Sequence, residues 1–383
     1  MKIKHTLLLS LLMFMCFLLK AQTPTKERLY VGTYSDRGSK GIYVMEFDRT
    51  SGKLSELQTL EDKQSPSFLA IHPNGKFLYA VYREGMTEDD KNGTVTAFRI
   101  DPKSGKLSKL NEQSSHGAGP CHISIDPKGK LAYVSNYGGG NLAVYPLNPD
   151  GSLGMATDVI QHEGSSVNQN RQQAPHMHSI IPSENGDFLY ASDLGIDKVM
   201  IYQPERKSGE IKPAQQAYAA STPGAGPRHF TLHPNGKLAF SIEELSSTIA
   251  VYSVDEKTGA LKAVDRVPTL PEGTQVQNNT TADIHVSPDG KYVYASNRGH
   301  DSIVIYAIDA DTGKLSYVGH EGSGGAHPRN FCMDSQGEFV FVANRDNDNV
   351  VVFKRDANSG KLSPTGNEAH IPAAVCIKQL RLP

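Results

Sequence analysis

From Leu29 to the end of the chain, apolar and polar residues alternate in short runs. KLAYVSN at 130–136 and KYVYASN at 291–297 have the period of two expected of half-buried strands, and neither has the spacing of a helix face. The run that follows each such stretch ends in an apolar pair and an aromatic: AVY at Tyr145, MIY at Tyr202, AVY at Tyr252, VIY at Tyr306 and VVF at Phe353. Strands are therefore expected almost everywhere.

The alternation is organised by three recurring markers. A Gly-Lys-Leu type of turn ends at Leu54, Leu107, Leu153, Ile211, Leu261, Leu315 and Leu362, at intervals of 46 to 58 residues. A second turn Gly is followed four residues later by an aromatic, from Gly75 and Tyr79 through Gly337 and Phe341, and Tyr30 takes that place in the first unit. The third marker comes before the second: PSFLAI from Pro66, PCHISI from Pro120, PHMHSI from Pro175, PRHFTL from Pro227, TADIHV from Thr281, PRNFCM from Pro328 and PAAVCI from Pro372. A repeat of this length built of four short strands is a propeller blade. The last copy follows the seventh turn and the first unit lacks one, so the C-terminal strand is expected to complete the N-terminal blade and cover its edge. The expected fold is all-β: a seven-bladed β-propeller with four-stranded blades, spanning 22–383.

Aligning the units places equivalent residues in rings around a channel. One position after the third-marker Pro the ring reads Ser67, Cys121, His176, Arg228, Ala282, Arg329, Ala373; the next reads Phe68, His122, Met177, His229, Asp283, Asn330, Ala374. Eight residues after the turn Gly it reads Tyr34, Arg83, Tyr137, Leu194, Glu244, Arg298, Arg345. Blade packing explains the repeated positions and leaves these irregular ones unexplained. Antiparallel pairing brings the start of one strand beside the end of the next, so Arg228, Glu244, His176, Arg298 and Arg329 are expected at one mouth. Cations with one carboxylate and one imidazole suit an anionic substrate with a carbonyl to be attacked. Glu243 points the other way by strand parity and reads as a surface or blade-edge carboxylate. His72 and His233 belong to HPNG turns and read as structural.

Composition narrows the partners. Lys and Arg number 39 against 41 Asp and Glu with no basic block, so neither a nucleic-acid nor a membrane surface is expected for the mature chain. The first 21 residues form a different segment: a positive start in MKIKH, an apolar run from Thr6 to Leu19 and a small Ala21 before the expected cut, the pattern of a secretory signal peptide. Export, to the periplasm, is expected; MFMC lacks the small residues that would precede a lipid-anchored Cys16. The remaining Cys121, Cys332 and Cys376 lie in apolar runs and read as buried free thiols. No zinc-spaced cysteines, H-E-x-x-H helix or G-x-S-x-G elbow occurs, and His176 with His178 would share a metal only if a strand turned both to one side. No metal and no cofactor are expected.

GAGPRHFTLHPNGKLAF followed by EEL, together with ADIHVSPDGKYVYASNR and GPCHISIDPKGKLAYVSNYGGGNLAVY, resembles the propeller-type 6-phosphogluconolactonase family, relatives of the fungal 3-carboxy-cis,cis-muconate lactonizing enzymes. The resemblance runs from about Arg28 to the C-terminus. It implies a metal-independent carboxylic ester hydrolase that opens a sugar δ-lactone to its aldonic acid, and it places functional residues at His176, Arg228, Glu244 and Arg298. His176 or Glu244 would take a proton from the attacking water, and Arg228 and Arg298 would stabilise the oxyanion or hold an anionic group. Arg329, His122, His229 and Asp283 are further candidates for binding the small anionic lactone. A non-enzymatic propeller binding a sugar acid, glycan or protein, and a muconate-type cycloisomerase, remain open at this point.

Overall fold

The computed structural model describes residues 26–62, 64–84, 91–274 and 276–381. The expected signal peptide at 1–21 lies outside these residues. Among them, 28 strands form seven four-stranded antiparallel sheets. The first blade comprises Lys26–Thr33, Gly41–Asp48 and Lys53–Glu61, completed on its inner side by Ala374–Leu380, which pairs with Lys26–Thr33. The other six span 66–114, 120–161, 177–220, 227–268, 280–322 and 328–370. Their inner strands touch one another in cyclic order, and Ala374–Leu380 bridges the last to the second, so the ring closes. The expected seven blades and circular closure are both present.

Each inner pair of strands is packed on two faces by neighbouring blades, which is why the second strands read as continuous apolar runs. Phe77–Tyr82, Leu131–Asn136 and Leu238–Glu243 are buried along their whole length, whereas the outermost Leu362–His370 is half exposed. In three blades two of the sequence markers are joined by one hydrogen bond. The Tyr hydroxyl of one blade donates to the carbonyl of the turn glycine in the next: Tyr30 to Gly105 at 2.9 Å, Tyr79 to Gly151 at 3.0 Å and Tyr294 to Gly360 at 2.6 Å. Those glycines have φ of 77°, 88° and 72°, a left-handed conformation that side chains disfavour. The HPNG histidines work similarly, since the Nε2–H of His233 donates to the Gly290 carbonyl at 2.8 Å and that of His72 to Gly129 at 3.1 Å. Each such bond contributes on the order of 1 kcal/mol and fixes the rotation between blades.

Candidate active site at the channel mouth

Every inner strand carries a β-bulge at the same end. The register slips between Pro66 and Phe68, Pro120 and His122, Met177 and Ser179, Pro227 and His229, Thr281 and Ile284, and Pro328 and Asn330; the first blade slips at Gly32 and Thr33. A bulge turns one extra side chain toward the end of the strand. The bulge ring is therefore Ser67, Cys121, His178, Arg228, Ala282, Arg329 and Val375. This corrects two positions of the sequence alignment. His178, not His176, is the counterpart of Arg228, because Met177 pairs with Asp193 as Pro227 pairs with Glu243. Val375, not Ala373, completes the ring, because Ala374 pairs with Thr33.

A cavity of about 380 Å³ opens at this end. Its charged lining is Arg83, Arg171, Arg298, Arg329 and Glu244, and Tyr34, Tyr137, Cys121 and His178 complete the side-chain wall. Glu244 is 5 % exposed and fully engaged. Its Oε2 accepts from Arg228 at 2.9 Å and lies 3.1 Å from Arg298, and its Oε1 accepts from Arg171 at 2.6 Å. Burial alone would raise its pKa, but Arg298, Arg228 and Arg171 together hold it well below the usual carboxylate range. Burial, with Arg329 and Arg298 nearby, pushes Arg228 down to about 9, so it remains a cation at neutral pH. Arg228 also donates to the Ala282 carbonyl, which ties the cluster to the neighbouring blade, and Arg298 donates to the Thr281 carbonyl within its own blade.

One layer deeper, the residues that follow the bulge form a buried floor. His229 donates through Nδ1 to Asp283 at 2.6 Å, and its Nε2 lies 3.3 Å from the Arg228 guanidinium. Asp283 also accepts from His285 at 3.0 Å, the Phe331 amide at 3.1 Å and the Asn330 side chain. The rings of His122 and His178 stand 5.6 and 5.3 Å from that of His229. His122, His229 and Asp283, expected to bind substrate, thus lie beneath the mouth cavity; of the second-tier candidates, Arg329 lines it.

His176 precedes its strand. Its ring stacks on Tyr137 with centroids 4.5 Å apart, and its Nδ1 lies 2.9 Å from the Tyr137 carbonyl. A carbonyl only accepts, so Nδ1 carries the proton and Nε2 is left as a lone-pair nitrogen. Glu243, expected at the surface or a blade edge, is instead wholly buried at the end of its blade's second strand, which is flanked on both sides, and is paired with Arg266 at 2.9 Å and Thr248 at 2.6 Å. Among the described residues, no group of three or more His, Cys, Asp or Glu is arranged to hold a metal ion.

A family model described as "Lactonase, 7-bladed beta-propeller" matches residues 28–379. The chain belongs to this lactonase family. A 6-phosphogluconolactonase of Formosa agariphila is 36% identical over 310 residues, 80% of this chain and 86% of that protein. One from Bacillus subtilis is 34% identical over 81% of this chain and 86% of its own length. The crystal structure of a periplasmic gluconolactonase from Pseudomonas aeruginosa superposes with a TM-score of 0.87 at 32% identity, covering 94% of this chain and 100% of that one.

In this lactonase propeller one cation of the mouth has no place in any ring. Arg171 comes from the connection between the third and fourth blades, 162–176, which is anchored by the wholly buried Gln172 and by Ser166 donating to Asp197 at 2.5 Å. Its position outside the repeat is why aligning blades does not find it. The His178 correction, by contrast, was readable: inner strands begin nine residues before the turn Gly, and counting back from Gly186 gives Met177.

Proposed function

We propose that the mouth cavity hydrolyses a sugar δ-lactone to the open-chain aldonic acid. The observation that carries this reading is the charge balance: four guanidinium groups line a cavity whose single carboxylate is already shared among three of the cluster's arginines. The cavity therefore holds net positive charge where an ester carbonyl would acquire negative charge in its transition state. Family membership and the lactonase names of its relatives agree with it.

Of the two bases considered, we assign the role to His176, whose ring stacks on the cavity-lining Tyr137. Glu244 is held as a carboxylate by Arg171, Arg228 and Arg298, and its depressed pKa makes it a poor proton acceptor. It serves instead to hold those cations in place. Nε2 of His176 takes a proton from water, whose oxygen attacks the lactone carbonyl carbon; Arg298 and Arg171 stabilise the tetrahedral oxyanion. The bond from the carbonyl carbon to the ring oxygen then breaks, and the imidazolium returns its proton to that oxygen. The products are one carboxylic acid and one new hydroxyl, so water is fully accounted for.

Continuous titration of acid released from glucono-δ-lactone and 6-phosphogluconolactone, above the spontaneous rate, tests the activity. His176→Asn is expected to lower kcat by roughly 10² or more with little change in KM, the usual scale for a lost general base. An unchanged kcat with a loss on His178→Asn instead would move the base to the bulge ring. We also propose that the chain acts outside the cytoplasm, which fractionation of cells expressing the full sequence would check.

A further inference from the structure

The cations of the mouth fall into two groups that differ in compensation. Arg171, Arg228 and Arg298 share Glu244. On the other side, Tyr34 carries three guanidinium groups over its ring, those of Arg83, Arg329 and Arg345 at 5.4, 5.3 and 5.5 Å from the centroid. Arg345 has carboxylate partners in Asp36 and Asp346. Arg83 and Arg329 line the cavity, and among the described residues neither has a carboxylate or hydrogen-bond partner. An aromatic face orients a guanidinium while leaving all five of its N–H groups free. Two neighbouring cations held this way repel each other until an anion sits between them.

We propose that Arg83, Arg329 and Tyr34 form a specificity subsite for a second oxyanion, carried by the lactone on the carbon chain remote from its ester. The planar forks match either a phosphate ester or a terminal carboxylate. This inference rests on the lactonase reading of the same cavity: the Glu244 group handles the reacting ester, and the Tyr34 group selects which lactone enters. Arg83 was read in the sequence only as one member of a ring, and Tyr34 as its counterpart in the first blade; their shared ring contact joins them to Arg329.

The test compares kcat/KM for 6-phosphogluconolactone, a glucarolactone and neutral glucono-δ-lactone, in the intact mature chain and in Arg83→Gln, Arg329→Gln and the double variant. A charge-assisted pair supports a preference of roughly ten- to hundredfold for an anionic lactone, and the double variant is expected to erase most of that ratio. Preference for the phosphorylated substrate alone, or for both anions, identifies the source of the oxyanion. Equal rates on neutral and anionic lactones, or a ratio unchanged in the double variant, overturns the subsite. Binding of inorganic phosphate, read as a rise in Tm that the double variant loses, tests it independently of turnover. If no lactone is hydrolysed, the catalytic reading fails while the phosphate measurement still decides the subsite, for which an unchanged Tm counts against.

Discussion

Arg228 and His229 are consecutive on one strand, yet the first joins Glu244 in the ion cluster of the mouth and the second joins Asp283 in the buried floor. Cys121 and Arg329 line the mouth cavity, while the residues after them, His122 and Asn330, do not. The bulge produces the split, because it sends one residue to the end of the strand and keeps the next inside the channel. The two layers solve burial differently. At the mouth, cations exceed carboxylates and the excess faces a cavity open to an anion. In the floor, one carboxylate, Asp283, is surrounded by donors, and burial keeps the His122 and His229 rings neutral at neutral pH. Of the two layers only the mouth presents surplus cations to a cavity, which argues for ligand binding there and for structural support beneath.

Removing the carboxylate that organises the mouth should have the largest effect. Glu244→Gln keeps the shape but leaves Arg228, 1 % exposed, and Arg298, 7 % exposed, without their counter-charge. Breaking a buried ion cluster from one side costs about 3–5 kcal/mol. Denaturant unfolding should show that loss, and kcat/KM should fall by roughly 10²–10³ as the oxyanion donors lose their alignment. Retained activity together with retained stability would mean that the cluster is neither an active site nor a structural support.

Asp283→Asn probes the floor and should act on stability more than on rate. The amide replaces an acceptor with a donor facing His229 and the Asn330 side chain, which is expected to cost about 2–3 kcal/mol. Activity per folded molecule should change less than tenfold, since no cavity-lining residue is altered. A loss of kcat as large as that of Glu244→Gln would remove the distinction between the layers.

Acid separates the layers without mutation. Burial, reinforced by Arg228, pushes His229 down to about 4, and burial first of all holds His122 and His178 well below the ordinary histidine range. Unfolded, each takes up a proton near pH 6.5. Between about pH 6.5 and 4 the unfolded chain therefore binds more protons, and stability falls as pH falls. His229 alone contributes roughly 3 kcal/mol of that loss by pH 4. The carboxylates act lower: Glu244 and Asp283 have depressed pKa values, so their stabilisation is present above about pH 4 and is lost only below it. Urea midpoints measured from pH 7.5 to 4.5 should decline, and His229→Gln should flatten the slope.

The architecture could be read from the sequence because its determinants repeat. The aromatic four residues after the second-marker Gly is wholly buried in every blade, and in three of them its hydroxyl also binds the Gly-Lys-Leu turn carbonyl of the next blade, so packing between blades keeps the position aromatic. The same periodicity brought Tyr34, Arg83, Tyr137, Glu244 and Arg298 to one cavity, since the ring counted from the turn Gly was in register. The ring counted from Pro failed at Pro175 and Pro372, which stand two residues farther from their strands than the other prolines do. Arg171 was invisible for a different reason: it lies in a connection that packs through Gln172 and obeys no repeat. The split between mouth and floor also escaped, because a bulge is a slip between strand partners, and no single strand's pattern encodes it.

The smallest expected effect concerns Cys121, an uncharged bulge residue of the cavity wall. Its Sγ lies 3.4 Å from the His178 carbonyl and 3.6 Å from that of Met177. Burial pushes the thiol up to about 12 despite the pull of Arg228, Arg329 and Arg83, so it stays protonated and is no nucleophile at neutral pH. Cys121→Ala should change kcat/KM less than about threefold and cost about 1 kcal/mol of stability through the weak bonds it loses. Alkylation of the native chain at pH 8 should be far slower than that of a free thiol, because the thiolate is the reactive form. Fast alkylation at Cys121 would show that the mouth cations outweigh its burial, and Cys121 would then be a reactive group of the mouth.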